Sequence, residues 1–241
     1  MAKPILLTKE MRKQAINDFE AMLYSDSVKL NDGKLTFSKN FACKKQDAIV
    51  NISMRAYRKI TALVTTSSNE VGWHGTVSRV GINEFLIEDI FVYPQEVTKA
   101  TVTTDQELYT TWLFDFDDDK FDAMRLHGHS HVNMGVTPSV TDVAHRNQIL
   151  AQLKDDMFYI FMVWNKSLST HTLIYDMQQN VLYENSDIEV VIEQDGDMEE
   201  FLADAEAKVK EYAPKISYKK YDSNSYYSNY YDQRGDSKWE F

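Results

Sequence analysis

The chain has 241 residues, a net charge of −11 and a single cysteine, Cys43. One cysteine excludes an internal disulfide framework and a cysteine-ligated metal cluster, so any metal site must use histidines and carboxylates. The negative charge disfavours general binding to nucleic-acid backbones, and the lack of a long apolar run leads us to expect a cytoplasmic protein without a membrane span.

The N-terminal part of the chain predicts a helix followed by a hairpin. Apolar residues recur every three to four positions over residues 5–26, which is typical of an amphipathic helix. Residues 28–37 alternate on either side of Asp32 and Gly33, a pair that favours a tight turn between two strands. We assign residues 1–48 to an N-terminal extension of this kind.

The middle of the chain, residues 49–194, predicts an α/β domain. Residues 52–66 favour a helix with Ser53 as its N-cap. After it we expect two alternating strands at 70–80 and 83–94, a helix near Thr104 at 104–116, a strand at 122–132 and a helix at 138–153. We then expect a strand buried on both faces at 157–167, a hairpin at 170–185 and a last strand at 188–192.

The C-terminal part changes in composition. Residues 195–213 predict a short acidic helix. Residues 214–241 are rich in tyrosine and low in complexity, which favours a poorly ordered tail. The alternative interpretation is that this tail docks a protein partner.

A cluster of histidines marks the candidate site. His127, His129 and His131 fall within one predicted strand, so all three side chains point to the same face. The helix that follows begins near Ser139 and carries Asp142 in its first turn. Two histidines and one aspartate leave a tetrahedral zinc ion with one open position, which is typical of catalytic rather than structural sites.

The spacing of four of these residues resembles a known motif. His129-x-His131, seven residues, Ser139, two residues and Asp142 is similar to the JAMM motif of the MPN (JAB1/Mov34) metalloprotease family. The resemblance implies that His129, His131 and Asp142 hold Zn²⁺ and that Ser139 stabilises the oxyanion. It also implies a glutamate upstream as the general base, and Glu70 fits that place.

The resemblance covers about residues 50–180 and implies a fold. That fold is the cytidine-deaminase-like MPN fold, in which helices flank a curved mixed central sheet; here the N-terminal helix and hairpin would extend it. The chain departs from the family pattern at Val132, where proline is usual, and at Gly72, which follows the glutamate by two residues rather than three. Both departures bear on substrate specificity, because the loop 132–138 borders the expected substrate path.

The function that the resemblance implies is zinc-dependent peptide hydrolysis. We expect an isopeptidase that cleaves a ubiquitin-like or similar polypeptide tail, of a prokaryotic or phage type, with specificity set by residues 93–125. Two other classes stay open: an assembly module, of phage or other origin, that keeps a structural zinc, and a zinc hydrolase acting on nucleic acid, which the charge disfavours.

Each candidate residue also has a simpler explanation. Ser139 and Asp142 stand where an N-cap and a third helical residue stabilise a helix without any metal. Glu70 could be a loop acid on the surface. His127 and His74 fit structural positions in strands at least as well as ligand positions, and the aspartates between 115 and 122 fit a solvated loop better than a calcium site.

Overall fold

The protein is described by a computed structural model that covers residues 2–25, 32–41, 47–132, 134–193 and four residues between 203 and 208. Residues up to 199 belong to one compact unit and those from 200 onward to a second. The four described residues of the second unit are helical. The other residues of the predicted helix at 195–213 lie outside the described residues, and so does the whole tail at 214–241.

Ten strands account for the β structure of the described residues. They are β1 (Ala48–Ile52), β2 (Gly72–Gly81), β3 (Glu84–Phe91), β4 (Glu96–Val97), β5 (Val102–Thr103), β6 (Met124–His131), β7 (Phe158–Asn165), β8 (Thr170–Asp176), β9 (Val181–Tyr183) and β10 (Ile188–Ile192). Eight of them form one curved mixed sheet in the order β10-β1-β3-β2-β6-β7-β8-β9. The strands β4 and β5 form a separate small hairpin.

The helices of the first unit are α1 (Lys9–Leu23), α2 (Met54–Thr66), α3 (Gln106–Phe114), α4 (Asp118–Asp122) and α5 (Val140–Leu150), with a 3-10 turn at Asn185–Asp187. Every α-helix begins after a residue whose side-chain oxygen accepts a backbone N–H of the first turn. None of the helices within the described ranges combines the length and the apolar composition that a membrane span needs.

The two faces of the sheet carry different chemistry. One face packs against α2, whose Ala56, Ile60 and Val64 are buried, and forms the apolar core with Trp73 and Ile160. Because neighbouring residues of a strand alternate between faces, the residues of β6 that flank each core position point the other way. That second face presents the histidines of β6.

The predicted elements of the middle region are confirmed in type and order, but the prediction omitted three features: β1, the hairpin of β4 and β5, and α4, which lies where a solvated loop was expected. The strand β1 was not predicted, although it lies in the sheet between β10 and β3, parallel to both. Its five residues include Asn51, so the apolar pattern is short and interrupted. The boundary placed at residue 48 therefore cuts the first residue of a core strand.

The N-terminal prediction is confirmed only in part. The helix is present as α1, but it begins at Lys9 rather than at residue 5. Asp32 and Gly33 both have positive φ angles, as a tight hairpin turn requires. The first arm of the predicted hairpin lies outside the described residues, and the prediction of a strand over 35–37 was wrong, since residues 35–41 have no strand. Residues 2–6 instead contact the main sheet, where Lys3 pairs with Leu182 of β9.

Gly128 is required by close packing within the strand that carries the histidines. It lies opposite Trp73 of β2, and a Cβ at residue 128 would overlap the indole ring. Trp73 is fully buried, so the ring has no space into which it could move.

We therefore predict that Gly128→Ala lowers the free energy of unfolding by about 1–3 kcal/mol, the usual effect of overpacking a core. Gly135→Ala is the matched control, because its Cβ would meet no atom within 4 Å, and we expect a change within about 0.5 kcal/mol. Denaturant unfolding followed by circular dichroism measures both values. Equal stability of the two variants would contradict the packing argument.

Candidate metal centre

The strand β6 holds two histidines of the candidate site in fixed positions. Gly72 of β2 pairs with His129 on one side, and Val163 of β7 pairs with it on the other. His129 and His131 are both buried, at 8% and 3% exposure. A strand that is paired along both edges restricts the backbone, so the two imidazoles keep a constant separation.

The helix α5 brings the third group to the same point. The Nε2 atoms of His129 and His131 lie 3.2 Å apart, and Oδ1 of Asp142 lies 3.3 Å from Nε2 of His129. Oδ2 of Asp142 is 3.7 Å from Nε2 of His131. These residues form the one group of potential ligands found among the described residues, with all ligand atoms within 4.8 Å of one another.

The separations match those between the ligands of a small tetrahedral ion. With metal–ligand bonds of about 2.05 Å, the edge of a tetrahedron is about 3.3 Å. Two neutral imidazole nitrogens at 3.2 Å would repel each other unless a proton or a cation lies between them. The arrangement of His129, His131 and Asp142 can therefore hold a metal ion, and we call these three residues the metal triad.

The tautomer of His131 is fixed by the loop that follows β6. Its Nδ1 lies 2.7 Å from the carbonyl oxygen of Gly135, which can only accept a hydrogen bond. Nδ1 therefore carries a proton, and Nε2, which lies near His129 and Asp142, is the atom that can bind a metal when the imidazole is neutral. A backbone carbonyl that orients the imidazole in this way is a common support for a metal ligand.

Asp142 is held by the start of α5. The backbone N–H of Ser139 donates to Oδ2 at 2.6 Å, and the N–H of Asp142 donates to the Ser139 hydroxyl at 3.2 Å, which together form a capping box. Helix capping therefore explains the position of Ser139 and of one carboxylate oxygen of Asp142. It does not account for Oδ1, which is directed to His129.

The ionisable residues of the triad shift one another's pKa values. Burial by itself would raise the pKa of Asp142, but the hydrogen bonds from His129 and His131, with that from Ser139, hold it well below its usual range. The pKa of His131 is raised, mainly by its hydrogen bond with Asp142. An ionised carboxylate is thus available next to two imidazoles, and a divalent cation could replace the proton that His131 attracts.

Glu70 lies beside the triad and not on the surface. Its side chain is buried at 5% exposure, and Oε1 has no hydrogen-bond partner among the described residues. Burial raises its pKa, while the charges of His131 and His129 lower it and that of Asp142 raises it further. These interactions require that the carboxylate is close to the triad.

The backbone on both sides of Glu70 is tied down. Its N–H donates to the carbonyl of Thr98, in the loop between β4 and β5. The next residue exchanges two hydrogen bonds with Ser130 of β6, one through the serine hydroxyl. The side-chain amide of Gln95 binds both the N–H and the carbonyl of Gly72. The segment 93–103 thus fixes the position of Glu70.

The position of Gly72 has a local reason. A Cβ at residue 72 would overlap the hydroxyl of Tyr93. Tyr93 belongs to a group of packed rings, partly or fully buried, that also contains His74, Tyr109, Trp112 and His127. The unusual spacing of glycine after Glu70 therefore reflects the packing of this ring.

Two other strand histidines, His74 and His127, have structural positions. His74 lies between two hydroxyls, with Tyr109 at 2.8 Å from Nε2 and Tyr159 at 3.4 Å from Nδ1. Burial lowers its pKa to about 4, so it is neutral near pH 7. His127 has its pKa lowered by burial as well, and its ring contacts His74 and His145.

The sequence interpretation missed several residues next to the triad. Gln95 and Ser130 gave no signal because their hydrogen bonds join segments that are distant in sequence. His145 and Arg146 follow Asp142 by three and four residues, so helical spacing could have placed them on its face of α5. The aspartates near α4 belong to the helix itself, since Asp117 is its N-cap.

Comparison with known proteins adds little to this geometry. No protein-family model and no curated protein matches the chain. One similar solved structure is the solution structure of a structural-genomics target from Desulfitobacterium hafniense. It has a TM-score of 0.42 and 14% sequence identity, and the match covers 61% of this chain and 94% of that one.

We predict that the purified protein binds about one divalent ion per chain, because the triad supplies three ligands at tetrahedral separations. His129→Ala and Asp142→Ala should each lose the ion, whereas His171→Gln should keep it, since His171 is outside the triad. Elemental analysis after dialysis against trace zinc measures the ratio. Full occupancy in both triad variants would show that the ion binds elsewhere.

Proposed function

We propose that the protein is a zinc-dependent metallopeptidase with an MPN fold, and that it acts as an isopeptidase on a ubiquitin-like or similar polypeptide tail. The observation that carries the proposal is the buried side chain of Glu70 next to the metal triad, whose Oε1 has no hydrogen-bond partner among the described residues. A structural metal site needs no such group. A hydrolytic site needs a base within reach of the attacking water.

The donor set favours zinc as the metal. Two imidazoles and one carboxylate, with a fourth position left open, are the usual ligands of catalytic zinc sites. When bound, zinc would supply the Lewis acidity that makes a water molecule an effective nucleophile near neutral pH. The capping box at Ser139 and the carbonyl of Gly135 would hold two of the ligands in place.

Glu70 would transfer the protons of the reaction. A general base works best when its pKa is close to the working pH, and burial moves the pKa of Glu70 in that direction. Its carboxylate would accept the proton of the attacking water and then give it to the amine that leaves. The hydrogen bonds from Thr98, Ser130 and Gln95 keep the backbone around it in one position.

Ser139 would stabilise the negative oxygen that forms on the attacked carbonyl. Its hydroxyl oxygen accepts the N–H of Asp142 through a lone pair, which leaves the hydroxyl hydrogen free to donate. The serine can therefore cap the helix through its oxygen and donate its hydroxyl hydrogen to the substrate at the same time.

The surroundings of the site support a polypeptide substrate. Met134 and Val140, exposed at 50% and 88%, lie three and two residues from the ligands His131 and Asp142 in the sequence and would offer apolar surface to a polypeptide. The hairpin of β4 and β5 borders the other side, through Thr98 and Glu70. This hairpin falls within residues 93–125, the part of the chain that we expect to set specificity.

An assembly module that keeps a structural metal is the main alternative. It would explain the triad and the capping box equally well. It would not explain a carboxylate that is buried without a partner, because desolvating such a group costs folding free energy and returns no bond.

The variant Glu70→Gln distinguishes the peptidase from the assembly module. We expect hydrolysis of an isopeptide bond at the C-terminal glycine of a ubiquitin-like protein to fall by about 10²–10⁴-fold, because the amide keeps the shape of the side chain but cannot accept the proton. Zinc content and thermal stability should stay at the level of the unchanged protein. Glu96→Gln is the control, since Glu96 is an exposed acid of the neighbouring hairpin.

Turnover should also stop with a chelator and return with zinc. Equal activity of Glu70→Gln and the unchanged protein would remove Glu70 from the mechanism. A chain that binds zinc fully but cleaves no linked polypeptide would favour the assembly module.

Ser139→Gly tests the oxyanion role apart from helix capping. Glycine is a tolerable N-cap, so we expect a loss of only a few tenths of a kcal/mol in stability. Loss of the hydroxyl donor should lower kcat by about 10²–10³-fold, the usual effect of removing one oxyanion donor. Steady-state kinetics and thermal unfolding measure the two effects. A fall in stability that matches the fall in activity would assign Ser139 to capping alone.

A further inference from the structure

A small cavity lies between α5 and the sheet, directly beside the metal triad. His129 and Asp142 form one end of its lining, and His145, Arg146 and His171 line the rest together with apolar side chains of β7 and β8. Its volume is about 30 Å³, which is space for roughly two water-sized groups. The triad and this cavity share a wall, so a group bound in one would be adjacent to the other.

Arg146 brings a positive charge to this cavity, whose one carboxylate, Asp142, already belongs to the triad. Its Nε atom is buried, and no hydrogen-bond acceptor reaches it among the described residues. The ion pairs found in the same residues do not include Arg146. Its guanidinium lies 6.0 Å from the centroid of the Tyr175 ring. A buried donor without an acceptor is unfavourable, and an anion would remove that penalty.

A second cation is a poor occupant. The one carboxylate in the lining is Asp142, which already belongs to the triad. The rings of His127 and His145 are 4.7 Å apart, but no third ligand among the described residues completes a group with them. The guanidinium of Arg146 would repel a metal ion at this place.

His171, which lines the same cavity as Arg146, can also donate a hydrogen bond to an anion. Burial lowers the pKa of His171, and the positive charge of Arg146 lowers it further. A neutral imidazole keeps one N–H that can donate to an acceptor. The cavity thus offers a charged fork of donors and a neutral donor, and both are complementary to a pair of negatively charged oxygens.

We propose that Arg146 and His171 form a carboxylate-binding site next to the metal triad, with space for the two oxygens of one carboxyl group. Arg146 follows Asp142 by one helical turn, so the carboxylate would be bound one turn from the metal ligand. If the carboxylate belongs to the substrate, this part of the inference rests on the proposed peptidase function. The site would then select polypeptides that have a free C-terminal carboxylate near the cleaved bond.

The first experiment measures the binding of ¹³C-formate to the zinc-loaded full chain by NMR. Formate is the smallest carboxylate and fits the volume of the cavity. We expect saturable binding that Arg146→Gln weakens by about tenfold or more, because a charge-assisted hydrogen bond is lost. Arg146→Lys should show an intermediate affinity, since it keeps the charge but loses the fork.

The control is Arg12→Gln, which removes an exposed arginine of α1 and should leave binding unchanged. Formate that binds to zinc itself would remain in Arg146→Gln, so the difference between the variants reports the cavity alone. Zinc content and melting temperature confirm that each variant is folded. Equal formate affinity in Arg146→Gln, Arg146→Lys and the unchanged protein, or no saturable binding, would overturn the site.

The second experiment identifies the source of the carboxylate. Peptide substrates with a free C-terminus are compared with the same peptides as C-terminal amides. If the substrate supplies the group, amidation raises KM in the unchanged protein and has no effect in Arg146→Gln. Equal KM values together with Arg146-dependent formate binding assign the site to a free carboxylate. Formate binding without any turnover would contradict the peptidase proposal only, and turnover without formate binding would contradict the carboxylate site only.

Discussion

The pairing of β2 with β6 is the interaction on which the candidate site depends. It places Gly72 opposite His129, so Glu70 leads into a strand that runs directly beside the two histidines. A shift of one residue in this register would turn His129 and His131 to the core face and bring Gly128 and Ser130 to the site. Trp73 packs over Gly128 and allows no larger residue there, which opposes such a shift.

Several groups near the triad have two functions at once. The carboxylate of Asp142 completes the capping box of α5 through Oδ2 and turns Oδ1 to His129. The hydroxyl of Ser130 accepts a hydrogen bond from the residue after Glu70, while its neighbours in the strand are the two triad histidines. Local stability and the geometry of the site therefore rest on the same hydrogen bonds.

The polar residues near the site differ in whether the protein itself satisfies their hydrogen-bonding groups. His74 is held between two tyrosine hydroxyls, which suits a neutral imidazole with one donor and one acceptor. Glu70 and Arg146 each have a buried polar atom that no described residue satisfies. Near the triad, these two unsatisfied atoms identify places where a ligand would lower the free energy.

The sequence by itself determined the elements and the ligand set. The apolar periodicity predicted α2, β2, β3, β6, α5 and β7, because each has a regular pattern and a clear cap or turn. The spacing of His129, His131, Ser139 and Asp142 identified the triad through its resemblance to a known motif, since strand geometry alone places His127 on the same face. The strand β1 was missed, since its five residues carry too short a pattern to recognise. Only the tertiary structure brought Glu70 next to the triad, joined Gln95 to Gly72 and formed the cavity of Arg146 with His171. Each of these contacts joins segments that are separated by many residues, and strand pairing and helix packing decide such distances where residue spacing cannot.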